Sequence, residues 1–143
     1  MALYRCPSCG AFNRVGTAAG TPVCGRCKRD LPTDGAPQDV DGEGLERAIA
    51  SSPVPVLVDF WAPWCGPCRV AAPIFDQVAR RLAGSAVVLK VDTEAHPEPA
   101  ARYGIRAIPT AVLFQAGRER ERRMGVQPAP ELEAWLRSAS STA

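Results

Sequence analysis

Between residues 54 and 62 the chain reads VPVLVDFWA, almost without polar interruption, and its β-branched content predicts a strand buried on both faces of a sheet. The same signature returns in AVVLKVDT, residues 86–93. Around these runs the period changes. Leu45, Ala48 and Ile49 recur at i, i+3, i+4 in DGEGLERAIASS and predict a short amphipathic helix. From Cys68 onward Ala71, Ile74, Phe75, Val78 and Leu82 form one stripe of a longer helix. Pro73 lies inside that stripe and is expected to kink it, because it lacks an N–H and crowds the preceding turn. PEPAARYG (97–104) reads as a short helix, and PAPELEAWLRSAS as a last one with Leu132, Trp135 and Leu136 facing inward. TAVLFQAG and RERERRMG predict two strands joined at Gly117, the second so heavily charged that it suits a sheet edge. The order helix, strand, helix, strand, helix, strand, strand, helix implies an α/β fold, a mixed central sheet with helices on both faces.

The first 32 residues lack such periodicity. What they carry is C-x₂-C-x₁₄-C-x₂-C, formed by CPSC (Cys6, Cys9) and CGRC (Cys24, Cys27). Four thiolates at this spacing suit one tetrahedral Zn²⁺ with no vacancy for water, a structural site in a ribbon-like module. A segment of about 30 residues cannot bury a core of its own and needs the metal to fold. Gly10 and Gly25 are expected to help each loop turn around the ion. The competing reading makes the two pairs redox-active dithiols. After Cys27, KRDLPTDGAPQDVDGEG is poor in apolar residues and rich in Asp, Gly and Pro, which reads as a linker. The chain is thereby divided into a zinc-binding ribbon at 1–32, a linker at 33–39 and the α/β domain at 40–143.

Composition narrows the setting. With 46% apolar and 22% charged residues and no apolar run near the ~20 needed to cross a bilayer, this reads as a soluble chain without a membrane partner. MALYRCPSCG has no leader-like pattern, so the expected location is the cytoplasm, where six cysteines are better explained by metal binding and catalysis than by structural disulfides. Residues 1–32 have a formal charge of +4 and the remainder −2. Nucleic-acid binding is nevertheless the weaker reading, because four thiolates holding one Zn²⁺ contribute −2 and only Tyr4 and Phe12 interleave with the basic residues.

The third cysteine pair, in WCGPC (64–68), has a different setting. Cys65 lies between a buried strand and the first turn of a helix, where unpaired N–H groups and the helix dipole favour thiolate over thiol, so it is the candidate nucleophile. Gly66 leaves room for a protein substrate, and Pro67 fixes the backbone where a missing N–H costs the helix nothing. Cys68, one turn along, is positioned to resolve a mixed disulfide. Zn²⁺ has no redox chemistry and occupies its thiolates, whereas an unmetallated pair at a helix terminus cycles, so one spacing serves two purposes. Asp59 stands in the middle of the first apolar run; a carboxyl desolvated there has its pKa raised, as a general base for Cys68 requires, and the alternative is a hydrogen-bonded core residue. Trp61 reads as support, and His96, ahead of Pro97, as a solvated residue outside the zinc ligand set.

From about residue 40 onward the chain resembles the thioredoxins in its element order and in DFWAPWCGPC, AIPT and a late glycine; the two leading CxxC pairs make the whole similar to the bacterial thioredoxin 2 group. Thioredoxins usually open with a short apolar strand, for which APQDVDGEG offers only Val40. The resemblance implies that Lys90 lies near Asp59 and tunes it. It also implies that Pro109 of AIPT is the cis-proline of the fold, bringing its loop beside the cysteines and freeing the backbone of Ile108 to pair with a substrate strand. Trp64, Gly66, Pro67, Ile108, Gly125 and Val126 would then form a shallow docking surface. The implied activity is protein disulfide reduction through a redox-active CGPC disulfide. The implied partners are disulfide-containing proteins and an NADPH-dependent thioredoxin reductase. A zinc-dependent, redox-switched holdase or binding module is the alternative.

Overall fold

The computed structural model describes residues 2–16 and 22–141. A two-stranded antiparallel sheet opens the chain, β1 (Ala2–Arg5) with β2 (Phe12–Val15). A five-stranded sheet follows, built from β3 (Gln38–Asp39), β4 (Val56–Trp61), β5 (Val87–Asp92), β6 (Thr110–Gln115) and β7 (Arg118–Met124) in the spatial order β3-β5-β4-β6-β7. β3 and β4 run parallel to β5, and β6 and β7 run antiparallel to their neighbours. The helices are α1 (Gly42–Ser51), α2 (Gly66–Arg81), α3 (Pro97–Arg102) and α4 (Ala129–Ser141). α2 starts two residues before the cysteine that opens its apolar stripe and continues through Pro73.

The period-2 pattern of β4 divides the interior. Val56, Val58 and Phe60 pack on one face with Leu45, Ala48 and Ile49 of α1, while Leu57 joins Phe75 and Val78 of α2 and Leu132 and Trp135 of α4 on the other. Asp59 alternates with the first set and so points toward the α2 layer. The charged strand β7 is a sheet edge, and several of its charges are paired, Arg122 with Glu119 at 2.7 Å and Arg123 with Glu121 at 3.7 Å; Glu121 also accepts the Trp135 indole N–H at 2.8 Å. The β6–β7 connection is Ala116-Gly117, both at positive φ (53° and 80°), the two-residue turn whose twist matches a hairpin.

The stretch 33–39 is not a free linker. Gly35 sits at φ +84° against the end of α2, where an added Cβ would come within 2.5 Å of the Ala83 Cβ and 2.9 Å of the Ala79 carbonyl oxygen. Asp34 pairs with Arg80 at 2.9 Å. Gln38 then does two jobs. Its backbone opens the large sheet beside β5, which supplies the first strand that the polar sequence obscured. Its side-chain amide donates to the Leu3 carbonyl at 3.2 Å and accepts the Arg5 N–H, so it stands in for a strand along the free edge of β1.

This clip brings the ribbon onto the larger domain. Leu3 is 2% exposed and packs in the same apolar cluster as Val40, Leu45 and Leu89, with Phe12 against it, while its neighbours Ala2 and Tyr4 face the ribbon's own core. Arg14 donates to the Ser51 carbonyl at the end of α1, at 2.9 Å. With Tyr4 buried and Phe12 packed, neither aromatic of the basic ribbon is free to stack on a base. Leu3→Ala should therefore weaken the α/β domain, by about 2–4 kcal/mol, through a cavity in its core. Equilibrium denaturation followed at a core signal of that domain checks this; an unchanged midpoint would mean that the ribbon is merely tethered.

Candidate active site and metal centre

β4 is paired on both edges and leads directly into the CGPC turn. Cys65 is the N-cap of α2, with an extended backbone (φ −84°, ψ 113°), and its Sγ accepts the Cys68 N–H at 3.2 Å. A sulfur here does what a capping oxygen does elsewhere, meeting a helix donor that has no carbonyl partner. Cys65 and Cys68 are joined as a disulfide with Cα atoms 5.2 Å apart, so the structure represents the oxidised form. Both are buried, in a small cluster with Ala62, Trp61 and Ile108.

Three loops converge on this disulfide. The Ile108–Pro109 bond is cis, and the Ile108 carbonyl oxygen lies 3.8 Å from Cys65 Sγ. The Thr110 hydroxyl closes that loop by donating to the Ala107 carbonyl at 2.6 Å. Gly125 donates its N–H to the Pro109 carbonyl at 2.8 Å, which ties the loop after β7 to the cis-proline. Trp64, Gly66, Pro67, Gly125 and Val126 are exposed and Ile108 half-buried on these loops, and Trp64 shows 67% of its surface. One large apolar residue beyond those expected from sequence adjoins them, Met124, 66% exposed and next to Gly125; Val70, half a turn beyond Cys68 on α2, is exposed as well. The sequence signal for Met124 is that it is the single apolar residue closing an otherwise charged strand, and for Val70 that it falls outside the apolar stripe of α2.

Beneath the cysteines, Asp59 is 1% exposed, and its Oδ1 has no hydrogen-bond partner. Desolvation pushes its pKa up to about 7, and Lys90 opposes part of the rise. Lys90 is the register neighbour of Asp59 on β5 and therefore shares its face; its Nζ lies 4.6 Å from the centre of the Trp61 ring. Trp61 is half-buried under that ammonium group, with its Nε1 buried and unpartnered. Since α2 covers the face toward which Asp59 points and Cys68 is on the buried side of α2, the carboxyl and the second cysteine share one layer. His96, expected to be solvated, is half-buried at the N-terminus of α3 and is not among the four clustered cysteine ligand atoms.

The ribbon places those four cysteines around one point. Their sulfurs all lie within 4.8 Å of one another, with Cys6 to Cys27 and Cys9 to Cys24 both 3.6 Å. A tetrahedron with metal–sulfur bonds of about 2.3 Å has edges of about 3.8 Å, so the residues fit Zn²⁺. Each knuckle also aims N–H groups at its first sulfur. Those of Cys9 and Ser8 hold the Cys6 thiol below its ordinary range, and those of Cys27 and Arg26 bring Cys24 down to about 6, with Asn13 adding a side-chain donor. The expected glycine roles are half corrected. Gly10, following Cys9, has φ +78°, but the matching position after Cys27 is Lys28 at φ 66°, and Gly25 is not left-handed. Lys28 is held there by its Nζ, which donates to the Gly25 carbonyl at 2.9 Å.

The thioredoxin family model matches residues 37–138. The chain is 42% identical to thioredoxin C-3 of Corynebacterium nephridii over 134 residues, spanning 92% of this chain and 90% of that protein. A match of that length reaches back into the ribbon. Thioredoxin 1 of Nostoc sp. is 43% identical over 101 residues, 71% of this chain and 94% of its own. Among solved structures, a mutant thioredoxin from Halobacterium salinarum superposes with a TM-score of 0.70 at 32% identity, covering 76% of this chain and 95% of that one.

The buried carboxyl links stability to pH. Asp59 has a folded pKa raised above its unfolded value, so the folded form binds its proton more tightly. Its contribution is full below about pH 4 and declines as the pH rises through about 7. Asp59→Asn should abolish that decline and leave the variant more stable than the parent at pH 8 by on the order of 2–4 kcal/mol. Denaturant midpoints at pH 4, 6 and 8 measure it; parallel curves for the two proteins would show that folding leaves the Asp59 pKa unshifted.

Proposed function

The chain belongs to the thioredoxin family and is a thioredoxin-type protein-disulfide oxidoreductase, and we propose that it works as a reductase in which Cys65 attacks, Cys68 resolves, and the ribbon is a structural zinc module. In the reduced enzyme the Cys65 thiolate attacks one sulfur of a substrate disulfide. A mixed disulfide forms and the other substrate sulfur leaves as a thiolate that takes up a proton. Cys68 then gives its proton to the Asp59 carboxylate and attacks Cys65 Sγ, which expels the second substrate sulfur as a thiolate that takes up a proton from solvent. Two electrons have passed to the substrate, and the enzyme holds the Cys65–Cys68 disulfide seen in the structure. The observation that carries this reading is the cysteine pair at the N-terminus of α2 above a buried carboxyl whose pKa is near neutrality.

The oxidised enzyme needs two electrons to turn over, and an NADPH-dependent flavin reductase of the thioredoxin reductase type is the donor this family uses. A reducing compartment such as the cytoplasm suits that cycle. Trp64, Gly66, Pro67, Ile108, Gly125 and Val126, with Met124, make the docking surface, and the Ile108 backbone beside Cys65 Sγ is where an extended substrate segment pairs. Lys90, lying against Trp61, limits the rise in the Asp59 pKa. In the ribbon, Zn²⁺ held by Cys6, Cys9, Cys24 and Cys27 supplies folding free energy and no electron transfer. The spacing of the four sulfurs supports this over a pair of redox-active dithiols.

Two measurements test the assignment. Cys65→Ser should abolish insulin disulfide reduction with dithiothreitol as donor, while Cys68→Ser should accumulate covalent mixed disulfides; multiple turnover by either variant would sink the scheme. Removing the metal with a chelator under reducing conditions should release one zinc per chain and leave four additional reactive thiols. It should lower the melting temperature of the α/β domain, because Leu3 is withdrawn from its core, yet preserve turnover. Loss of turnover at a temperature where the domain remains folded would give the ribbon cysteines a part in electron transfer.

A further inference from the structure

We propose that the docking surface selects disulfides flanked by acidic residues, with Arg69 and Arg106 as the cations that recognise them; the inference rests on the reductase reading above and names its substrate class. The three segments that surround the disulfide, WAPWCGPCRV (61–70), GIRAIPT (104–110) and MGVQP (124–128), hold no carboxylate. Their only formal charges are Arg69 and Arg106, and both side chains are exposed.

Both are also unneutralised. Several arginines elsewhere in the domain are matched to carboxylates: Arg47 to Glu43, Arg80 to Asp34 and Asp76, Arg81 to Glu133, Arg102 to Glu46, Arg122 to Glu119. Among the described residues, no ion pair involves Arg69 or Arg106. Arg69 is aimed by its Nη2, which donates to the Pro63 carbonyl at 3.0 Å and holds the guanidinium over the turn that carries Trp64 and Cys65. That bond leaves its other N–H donors available for a carboxylate. Arg106 stands two residues before Ile108, whose carbonyl oxygen is 3.8 Å from Cys65 Sγ. A segment paired with the Ile108 backbone therefore runs past Arg106 as it leaves the apolar centre.

Apart from the buried Asp59 beneath the disulfide, the carboxylates Asp92 and Glu94 at the same end of the sheet lie on the other flank. Asp92 closes β5 and Glu94 follows it, whereas the cis-proline loop leads into β6, and these two strands lie on opposite sides of β4. Asp92 is occupied, its Oδ1 accepting the N–H groups of Glu94 and Ala95 at 2.9 and 3.2 Å. Lys90 is on that flank too, held against Trp61. An apolar patch with unpaired guanidinium groups on the side where the substrate strand exits suits an acidic neighbour of the scissile disulfide and disfavours a lysine there.

Three peptides with the same disulfide-bridged centre and flanking residues that are Asp/Glu, Ser or Lys distinguish the possibilities. At low ionic strength the second-order rate of reduction should be about tenfold higher for the acidic than for the basic peptide, and the ratio should fall to about twofold near 0.5 M salt, where charges beyond a few ångströms are screened. Arg69→Glu/Arg106→Glu should invert the order, and Arg69→Lys/Arg106→Lys, which keeps the charge, should retain it. Equal rates for all three peptides in the parent protein, or an order unmoved by charge reversal, would overturn the selectivity while leaving the reductase reading intact. Failure to reduce even the Ser-flanked peptide would overturn the reductase reading, and the selectivity with it.

Discussion

The structure depends on β4 being paired along both edges and covered on both faces. A strand so enclosed fixes the position of whatever follows it. The chain leaves β4 at Trp61 and enters α2 at Gly66, so the CGPC turn is anchored at its front by a central strand and at its back by a sixteen-residue helix. The Cys68 N–H at the start of α2 then falls on Cys65 Sγ. The same enclosure desolvates Asp59, which in an edge strand would be an ordinary solvated carboxylate. The N–H contact to Cys65 Sγ and the raised pKa of Asp59 thus have one structural cause.

The ribbon depends on that enclosure in a less direct way. A parallel strand at the sheet edge leaves unpaired backbone groups, and β3 is only two residues long. Gln38 extends the pattern sideways by offering its side-chain amide to β1, and Leu3 fills the apolar corner among Val40, Leu45 and Leu89. The small module is therefore held from two sides: by its four-cysteine cluster from within and by the core of its neighbour from one side. That arrangement suits a segment too short to bury a core alone. It also ties the stability of the α/β domain to the state of the ribbon.

The regular elements are legible in the sequence because each has an unbroken period over enough residues: the two apolar strands, the stripe of α2, and Leu132, Trp135 and Leu136 of α4. The metal cradle is legible from spacing, since C-x₂-C closes a knuckle whatever surrounds it. The departures share a physical origin. A composition like that of PTDGAP marks flexibility only when nothing covers it, and Gly35 is where it is because Ala79 and Ala83, far along the chain, leave no room for a Cβ. Gln38 reads as polar and solvated, but its partner is a backbone edge 33 residues away in sequence. The general preference for glycine points to Gly25 as the turn residue, whereas the knuckle requires the left-handed conformation after its second cysteine, where the chain has Lys28.

Three cysteine pairs of identical spacing thus behave as two kinds of site because their backbones differ. At Cys6–Cys9 and Cys24–Cys27 the chain turns back on itself: Gly10 N–H bonds to the Cys6 carbonyl and Lys28 N–H to the Cys24 carbonyl, and both sulfurs of each pair face outward from the turn toward a shared centre. At Cys65–Cys68 the chain goes forward into a helix, and the second sulfur lies one turn above the first, within bonding reach of it. Two facing knuckles assemble four sulfurs at the edge length of a zinc tetrahedron; a helical turn assembles two at the distance of a disulfide. The residues between the cysteines take part in that choice. Pro67 is tolerated in the first turn of α2 because no carbonyl awaits its missing N–H, whereas Ser8 and Arg26, at the corresponding positions of the knuckles, keep N–H groups that are directed at Cys6 and Cys24. Exchanging the proline and serine between WCGPC and CPSC would therefore remove a donor to Cys6 Sγ at one site and a helix-starting constraint at the other, so neither motif can take the other's place.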